Sequence, residues 1–325
     1  MKFFLLSFFF YFALLAEPLA LRFSPKNFDY IFSAQPESIT SIPMVMQCME
    51  SKYADNPKMQ WCKEVGIDFK NMKSFAFTAN LSEFIKLKKT RTPEAQVERI
   101  RQWLMFIEYK TAPDLMKMEE KYKARKAAGK NRLDFQKSQV AGKTAYIVPV
   151  KQRKYCYAQI SPTQWVAGEI ETVKKVLALS EAGSMLSQSF FQSELNKNAD
   201  TLMFAVHKPQ GKVEIAHPMM QTYTGHFAKV TYDEDFLIEG SLSMSKKEDL
   251  LGVESFVKMM SGFMLAKPEM KMSADSLKTS ISDSSLDMSL RVSVESLKSM
   301  REQMKKKWSH KRHHHNHEKA EKEKK

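Results

Sequence analysis

Phe236-Leu237-Ile238-Glu239-Gly240-Ser241-Leu242-Ser243-Met244 runs straight into Ser245-Lys246-Lys247-Glu248. The first nine residues have the make-up of a half-buried strand. Ser245 and Glu248 then stand at the spacing of a capping box, in which a hydroxyl and a carboxylate satisfy the first free N–H groups of a helix. From Leu250 to Leu265 the apolar residues recur at helical period. The chain therefore passes from strand to helix with almost no loop. The same joint recurs three times: Ser74 to Leu81 leads into Ser82-Glu83, Trp165 to Ile170 into Glu171 to Leu177, and Leu286 to Val294 into Glu295-Ser296-Leu297. Four such joints predict an α+β fold, with antiparallel sheets, helices packed on one face and a duplicated unit.

The first α+β half is expected over residues 21–180 and the second over 181–300. Met46, Met49, Met59 and Cys62 fall at helical intervals, Pro57 suits a first turn and Gly66 a stop, so 42–65 reads as a helical hairpin. Thr92-Pro93-Glu94 starts a helix whose inner face is Val97, Ile100, Leu104 and Ile107. Pro113-Asp114 opens another, carrying Met116, Met118 and Tyr122 up to Gly129. Together they predict a basic helical insertion over 93–128. A hairpin follows from Leu133-Asp134-Phe135 to Tyr146-Val150, turning at Ala141-Gly142-Lys143. A polar bridge over 180–200, anchored by Phe190, Phe191 and Leu195, precedes strands from Thr201 and from Tyr223. The latter turns at Asp233-Glu234-Asp235.

The N-terminus reads as an export signal. Met1-Lys2 is followed by an apolar run from Phe3 to Ala16, closed by Glu17 and Pro18 and too short to cross a bilayer comfortably. Cleavage is expected after Ala16, with Ala20 the alternative, and the mature chain is expected to be secreted or periplasmic. No later segment reaches transmembrane length. An oxidising destination gives the three cysteines meaning: Cys48 and Cys62 flank the expected turn of the helical hairpin and are predicted to form a disulfide. Cys156, in Tyr155-Cys156-Tyr157, reads as a buried apolar thiol.

The formal net charge of +14 is regional. Residues 86–154 hold 19 Lys and Arg against 7 Asp and Glu, and residues 301–325 hold 10 against 4. The remainder is slightly acidic. Basic helices of this kind can meet an anionic membrane surface or cell-wall polymer. The aromatic interleaving of single-strand binders is missing, which argues against nucleic acid. The 301–325 tail is nearly free of apolar residues and is expected to be disordered. His310, His313, His314, His315 and His317 within it are candidate ligands for Zn, Cu or Ni. His207, His217 and His226 show no metal-ligand spacing and read as surface or core residues. Asn80-Leu81-Ser82 is a lone glycosylation sequon.

No nucleophile elbow, zinc-protease helix, phosphate loop or Cys-x-x-Cys pair is found, and the Ser-x-x-Lys matches at Ser243 and Ser255 lack their companion motifs. No catalytic or cofactor-binding residue is assigned.

The signal peptide, the helix closed by Gly66-Ile67-Asp68, the strand from Lys73 to Leu81 and the order strand, polar turn, strand, Ser245-to-Glu248 helix, strand resemble a class of uncharacterised exported proteins from environmental bacteria. The resemblance spans roughly residues 40 to 300 as a pattern. It implies export and a duplicated α+β fold, transfers no catalytic residue, and does not include the basic helices or the His-rich tail. The expected function is a non-enzymatic exported binding or structural protein. The alternatives are an anionic-surface binder, a metal binder through the tail, and an enzyme whose site has no recognised motif.

Overall fold

The structure, a computed structural model, describes residues 19–47, 50, 67–89, 92, 95, 98, 101–127, 136–150, 153–211, 213, 221–265, 276–299 and 302. The expected signal peptide, the Cys48 and Cys62 pair, His217 and all five tail histidines lie outside the described residues.

The fold is α+β and its strands pair antiparallel. Backbone contacts divide the chain into two compact units at Lys229 and Val230.

In the first unit the strands are β1 (Tyr30–Ala34), β2 (Met72–Ala79), β3 (Trp103–Tyr109), β4 (Gln136–Val140), β5 (Lys143–Val150), β6 (Arg153–Gln159), β7 (Gln164–Glu169) and β8 (Met203–His207). Their order is β4-β5-β6-β7-β3-β2-β1-β8. The helices are α1 (Leu19–Phe23), α2 (Pro36–Ser41), α3 (Leu81–Lys89), α4 (Leu115–Ala127), α5 (Ile170–Leu177) and α6 (Ser189–Lys197). The unit has a core on each sheet face. Leu104, Phe106, Ile31, Val166 and Phe204 face one way, against Leu21, Val173, Val176, Met185 and Phe191. Ile107, Tyr109, Tyr146 and Trp165 face the other, joined by Met118 of α4. Each fully buried side chain of this size contributes about 1.5–3 kcal/mol.

This double burial corrects one expectation. Residues 93–128 are not a helical insertion throughout, because Trp103–Tyr109 is the central strand β3, paired with β2 and β7. Leu104 and Ile107 are both buried, but on opposite faces. A strand covered on both sides loses its alternation and imitates helical spacing. The segment after it is helical as expected, in α4.

The four strand-to-helix joints are present. At the second, Glu169 closes β7 and its carboxylate accepts the N–H groups of Glu171 (3.0 Å) and Thr172 (3.2 Å), capping α5. At the first, Asn80 Oδ1 accepts the Glu83 N–H (2.9 Å), so the sequon asparagine caps α3. The β4–β5 turn is Ala141-Gly142 with φ of +48° and +73°. Positive φ at both positions gives the primed turn whose twist matches the strands.

The second unit begins within β9 (Tyr223–Asp233) and continues through β10 (Asp235–Met244), α7 (Lys247–Leu265), β11 (Leu277–Ile281) and β12 (Ser285–Val292), in the order β9-β10-β12-β11. Glu234, at φ +64°, makes the tight turn between β9 and β10. Leu242 opposes Leu286 and Ile238 opposes Leu290 on one face, while Glu239, Ser241, Asp287 and Ser289 fill the other. Helix α7 packs on the apolar face through Leu250 and Val253. Residues 294–299 turn helical after β12, with Ser293 Oγ accepting the Ser296 N–H (3.1 Å). Among the described residues no helix is long and apolar enough to cross a membrane.

Candidate functional site

Two features of the first unit hold clustered polar chemistry. The first starts from the register of β1 on β8, which places Tyr30 opposite His207. Asp29, just ahead of β1, is buried, and so is His207. Asp29 Oδ1 accepts the Leu81 N–H (2.6 Å) and Oδ2 the Ser82 N–H (3.3 Å) and the Ser82 hydroxyl. Asp29 thus caps helix α3 from the residue ahead of β1, placing a negative charge at the positive end of the helix dipole.

His207 Nε2 lies 3.3 Å from Asp29 Oδ2 and 3.4 Å from Ser82 Oγ. Its Nδ1 is 2.5 Å from Tyr223 Oη, which is 2.6 Å from His226 Nδ1. His207 donates from Nε2 to the Asp29 carboxylate, and the Tyr223 hydroxyl bridges Nδ1 of His207 and Nδ1 of His226, donating to one and accepting from the other. Burial, with His207 adding to it, pushes His226 down to about 4. Burial followed by the Asp29 charge raises Tyr223 well above the usual phenol range.

Ser, His and Asp side chains meet here, but not as a nucleophilic triad. Both Asp29 and Ser82 approach the same histidine nitrogen, and Ser82 gives its proton to Asp29. A triad needs the carboxylate on the opposite ring nitrogen, leaving Nε2 free to take the serine proton. The arrangement instead ties α3, β1, β8 and β9 together. From Tyr30 a row of half-buried rings continues across the sheet through Phe77 and Trp103 to Tyr155, with neighbouring centroids 5.8–6.3 Å apart.

The second feature is a cleft of about 480 Å³ between the sheet and helices α1, α2 and α6. Ala76 of β2, Phe106 of β3, Phe204 of β8 and Leu195 of α6 give it apolar walls, with Leu19 and Ala20 of α1. Ser33, Gln35, Ser74, Gln164, Asn196 and Asn198 supply hydroxyls and amides. Charge of both signs lines it. Lys73 Nζ lies 3.2 Å from Glu108 Oε1, Ser74 Oγ donates to Glu108 Oε2 (3.2 Å), and Glu37 pairs with Lys110 (3.0 Å).

Comparison of the chain with protein-family models, with curated proteins and with solved structures finds no match. The site is therefore read from its own geometry.

Of the residues singled out in the sequence, Cys156 is a buried thiol, raised to about 12 by burial and then by Glu169. His207 and His226, expected as unrelated surface or core residues, are brought together through Tyr223. In the basic region, Glu119 of α4 reaches Lys137 of β4 (2.9 Å) and accepts from the Tyr146 hydroxyl (3.0 Å). Among the described residues no group of His, Cys, Asp and Glu is arranged to hold a metal ion. The network residues 29, 82, 207, 223 and 226 share no local spacing. Nor do the cleft residues, which come from β1, β2, β3, β7, β8, α1, α2 and α6.

Proposed function

We propose that this chain is an exported binding protein that takes a short, amphipathic, zwitterionic molecule, such as an apolar peptide with free ends, in the cleft beside β1, β2, β3 and β8. The observation that carries the reading is the cleft itself: about 480 Å³ with apolar walls, a hydroxyl and amide lining, and Lys73, paired with Glu108, sharing the lining with Glu37. Ligand sites have this size and this mixture, with apolar surface supplying affinity and a few polar groups fixing orientation. An ammonium and carboxylates in one rim match a ligand that carries both charges.

Export rests on the apolar run from Phe3 to Ala16 and on the likeness in pattern to exported bacterial proteins. Cleavage after Ala16 suits the cleft, because it leaves the wall residues Leu19 and Ala20 on the mature chain together with the buried Leu21. Cleavage after Ala20 would remove two wall residues.

Isothermal titration with Leu- and Phe-containing tripeptides, free-ended and with both ends blocked, tests the reading. Binding of the free-ended set, weakened at least tenfold by blocking and abolished in Ser33→Trp, is expected. The circular dichroism of Ser33→Trp should match the parent. Absence of binding across the set, or binding unchanged in Ser33→Trp, would overturn it.

A further inference from the structure

Strand register sorts the floor of the cleft into rows that cross the sheet. Gln164, Glu108 and Ser74 stand side by side on β7, β3 and β2. One row inward, Phe106, Ala76, Ser33 and Phe204 follow one another on β3, β2, β1 and β8. The row beyond, Leu104, Thr78, Ile31 and Val206, is fully buried. In the middle row the two Phe side chains are buried, whereas Ala76 and Ser33 between them are only half-buried and line the cleft. Neighbouring strands lie about 4.8 Å apart, so two small residues between two rings leave a notch as wide as one side chain. The buried row closes its inner end. It opens only toward Glu108 and Ser74.

Strand β2 is bulged at this mouth. Met72 opposes Tyr109 and Ser74 opposes Glu108, which leaves Lys73 as the extra residue. A bulge of this kind re-aims a side chain. Here it lets Lys73 and Ser74 both bond to Glu108, at 3.2 Å each, and so fixes the carboxylate over the notch. Glu108 is the deeper of the two charges, 25% exposed against 59% for Lys73. The charge nearest the apolar notch is therefore negative.

We infer, building on the peptide reading of the cleft, that it selects its ligand by the first residue. The free α-ammonium binds at Glu108, and a large apolar first side chain fills the notch over Ala76 and Ser33. Two residues along a strand span about 6.8 Å, so the distance from Glu108 to Phe106 matches the reach from an α-ammonium to the end of a Leu or Phe side chain. Lys73, nearer solvent, is left to the carboxyl end. Ala76 sets the size of the side chain that enters.

Isothermal titration with Phe-Gly-Gly and Gly-Gly-Phe, which share composition and charge, tests this in the parent, Ala76→Leu, Ala76→Val and Glu108→Gln. The parent is expected to bind Phe-Gly-Gly at least about tenfold more tightly, since burying one such side chain is worth that much or more. Acetylating the amino end of Phe-Gly-Gly, or Glu108→Gln, should cost about tenfold or more, and amidating the carboxyl end about threefold. Ala76→Leu should bring Phe-Gly-Gly down to the level of Gly-Gly-Phe and leave Gly-Gly-Phe within about threefold of the parent. Ala76→Val moves the preference in the same direction, and it carries the readout if the circular dichroism of Ala76→Leu departs from the parent. Equal affinity for the two peptides in the parent, a preference unmoved by the folded Ala76 variant, or a greater cost from amidation than from acetylation would overturn the inference and leave the peptide reading standing. So would unchanged binding in Glu108→Gln. Failure of the parent to bind either peptide or any of the free-ended Leu and Phe tripeptides would overturn both.

Discussion

His207 Nε2 sits 3.3 Å from Asp29 Oδ2, with the two side chains 1% and 3% exposed. A carboxylate so deeply placed is tolerated only because it also receives two backbone N–H groups and the Ser82 hydroxyl. Its removal frees the Leu81 and Ser82 N–H groups at the start of α3, where Asn80 still caps Glu83, and leaves His207 without its carboxylate. Asp29→Ala is expected to cost about 3 kcal/mol, from the loss of a buried pair and of a helix cap. Asp29→Asn, which keeps one acceptor oxygen, should cost less. Urea denaturation checks both, and equal midpoints for Asp29→Ala and the parent would refute the assignment.

The protonation of His226 gives stability a pH dependence of known sign. Its folded value is about 4, against about 6.5 in the unfolded chain, so the unfolded state takes the proton first. Stability is therefore fully present above pH 6.5 and falls as the pH drops from 6.5 toward 4. The loss is at most about 3 kcal/mol, since a tenfold difference in proton affinity between the two states corresponds to about 1.4 kcal/mol. His226→Gln should flatten the slope of the urea midpoint between pH 6.5 and 4.5, above the range in which most carboxylates titrate.

Gly225 faces His207 across β9 and β8. A Cβ there would stand 2.7 Å from the His207 carbonyl oxygen, which as backbone cannot give way. Gly225→Ala is expected to destabilise by about 2 kcal/mol, as overpacking typically does. It should also raise the proton-exchange rate of the Tyr223 hydroxyl by loosening the contact with His207.

Ala141 occupies a left-handed position that its side chain disfavours. Ala141→Asn would create the Asn-Gly pair that primed turns prefer. A rise in stability of roughly 0.5–1 kcal/mol is expected, seen as a higher thermal midpoint. No gain would mean that the turn is not the two-residue form.

Thiol counting separates the three cysteines. Burial holds the Cys156 thiol near 12, so it should not react with a disulfide reagent in the folded protein at pH 8. Denaturation without reductant should expose one thiol, Cys156, and prior reduction three. Three thiols in the unreduced chain would remove the expected Cys48–Cys62 bridge.

The elements at the joints were readable because the signal is local. The run ending at Met244 and the helical spacing from Leu250 change period within a few residues, and no distant contact is needed to see it. Cys156 was legible for a similar reason, lying in a strand whose neighbours leave it facing the core. Strand β3 was not. Leu104 and Phe106 serve one core and Ile107 and Tyr109 the other, so its pattern reflects two burial partners that only the assembled sheet supplies.

The amino-acid sequence by itself determined the class of fold, the positions of the strand-to-helix joints and the regional charge, all properties of neighbouring residues. The tertiary structure decided the rest. It placed β8 beside β1, so that His207 meets Asp29 across more than 170 residues, and it assembled the cleft from eight elements. The physical reason is that strand order and register are set by which apolar faces cover one another. That choice leaves no mark in the spacing of the polar residues it brings together.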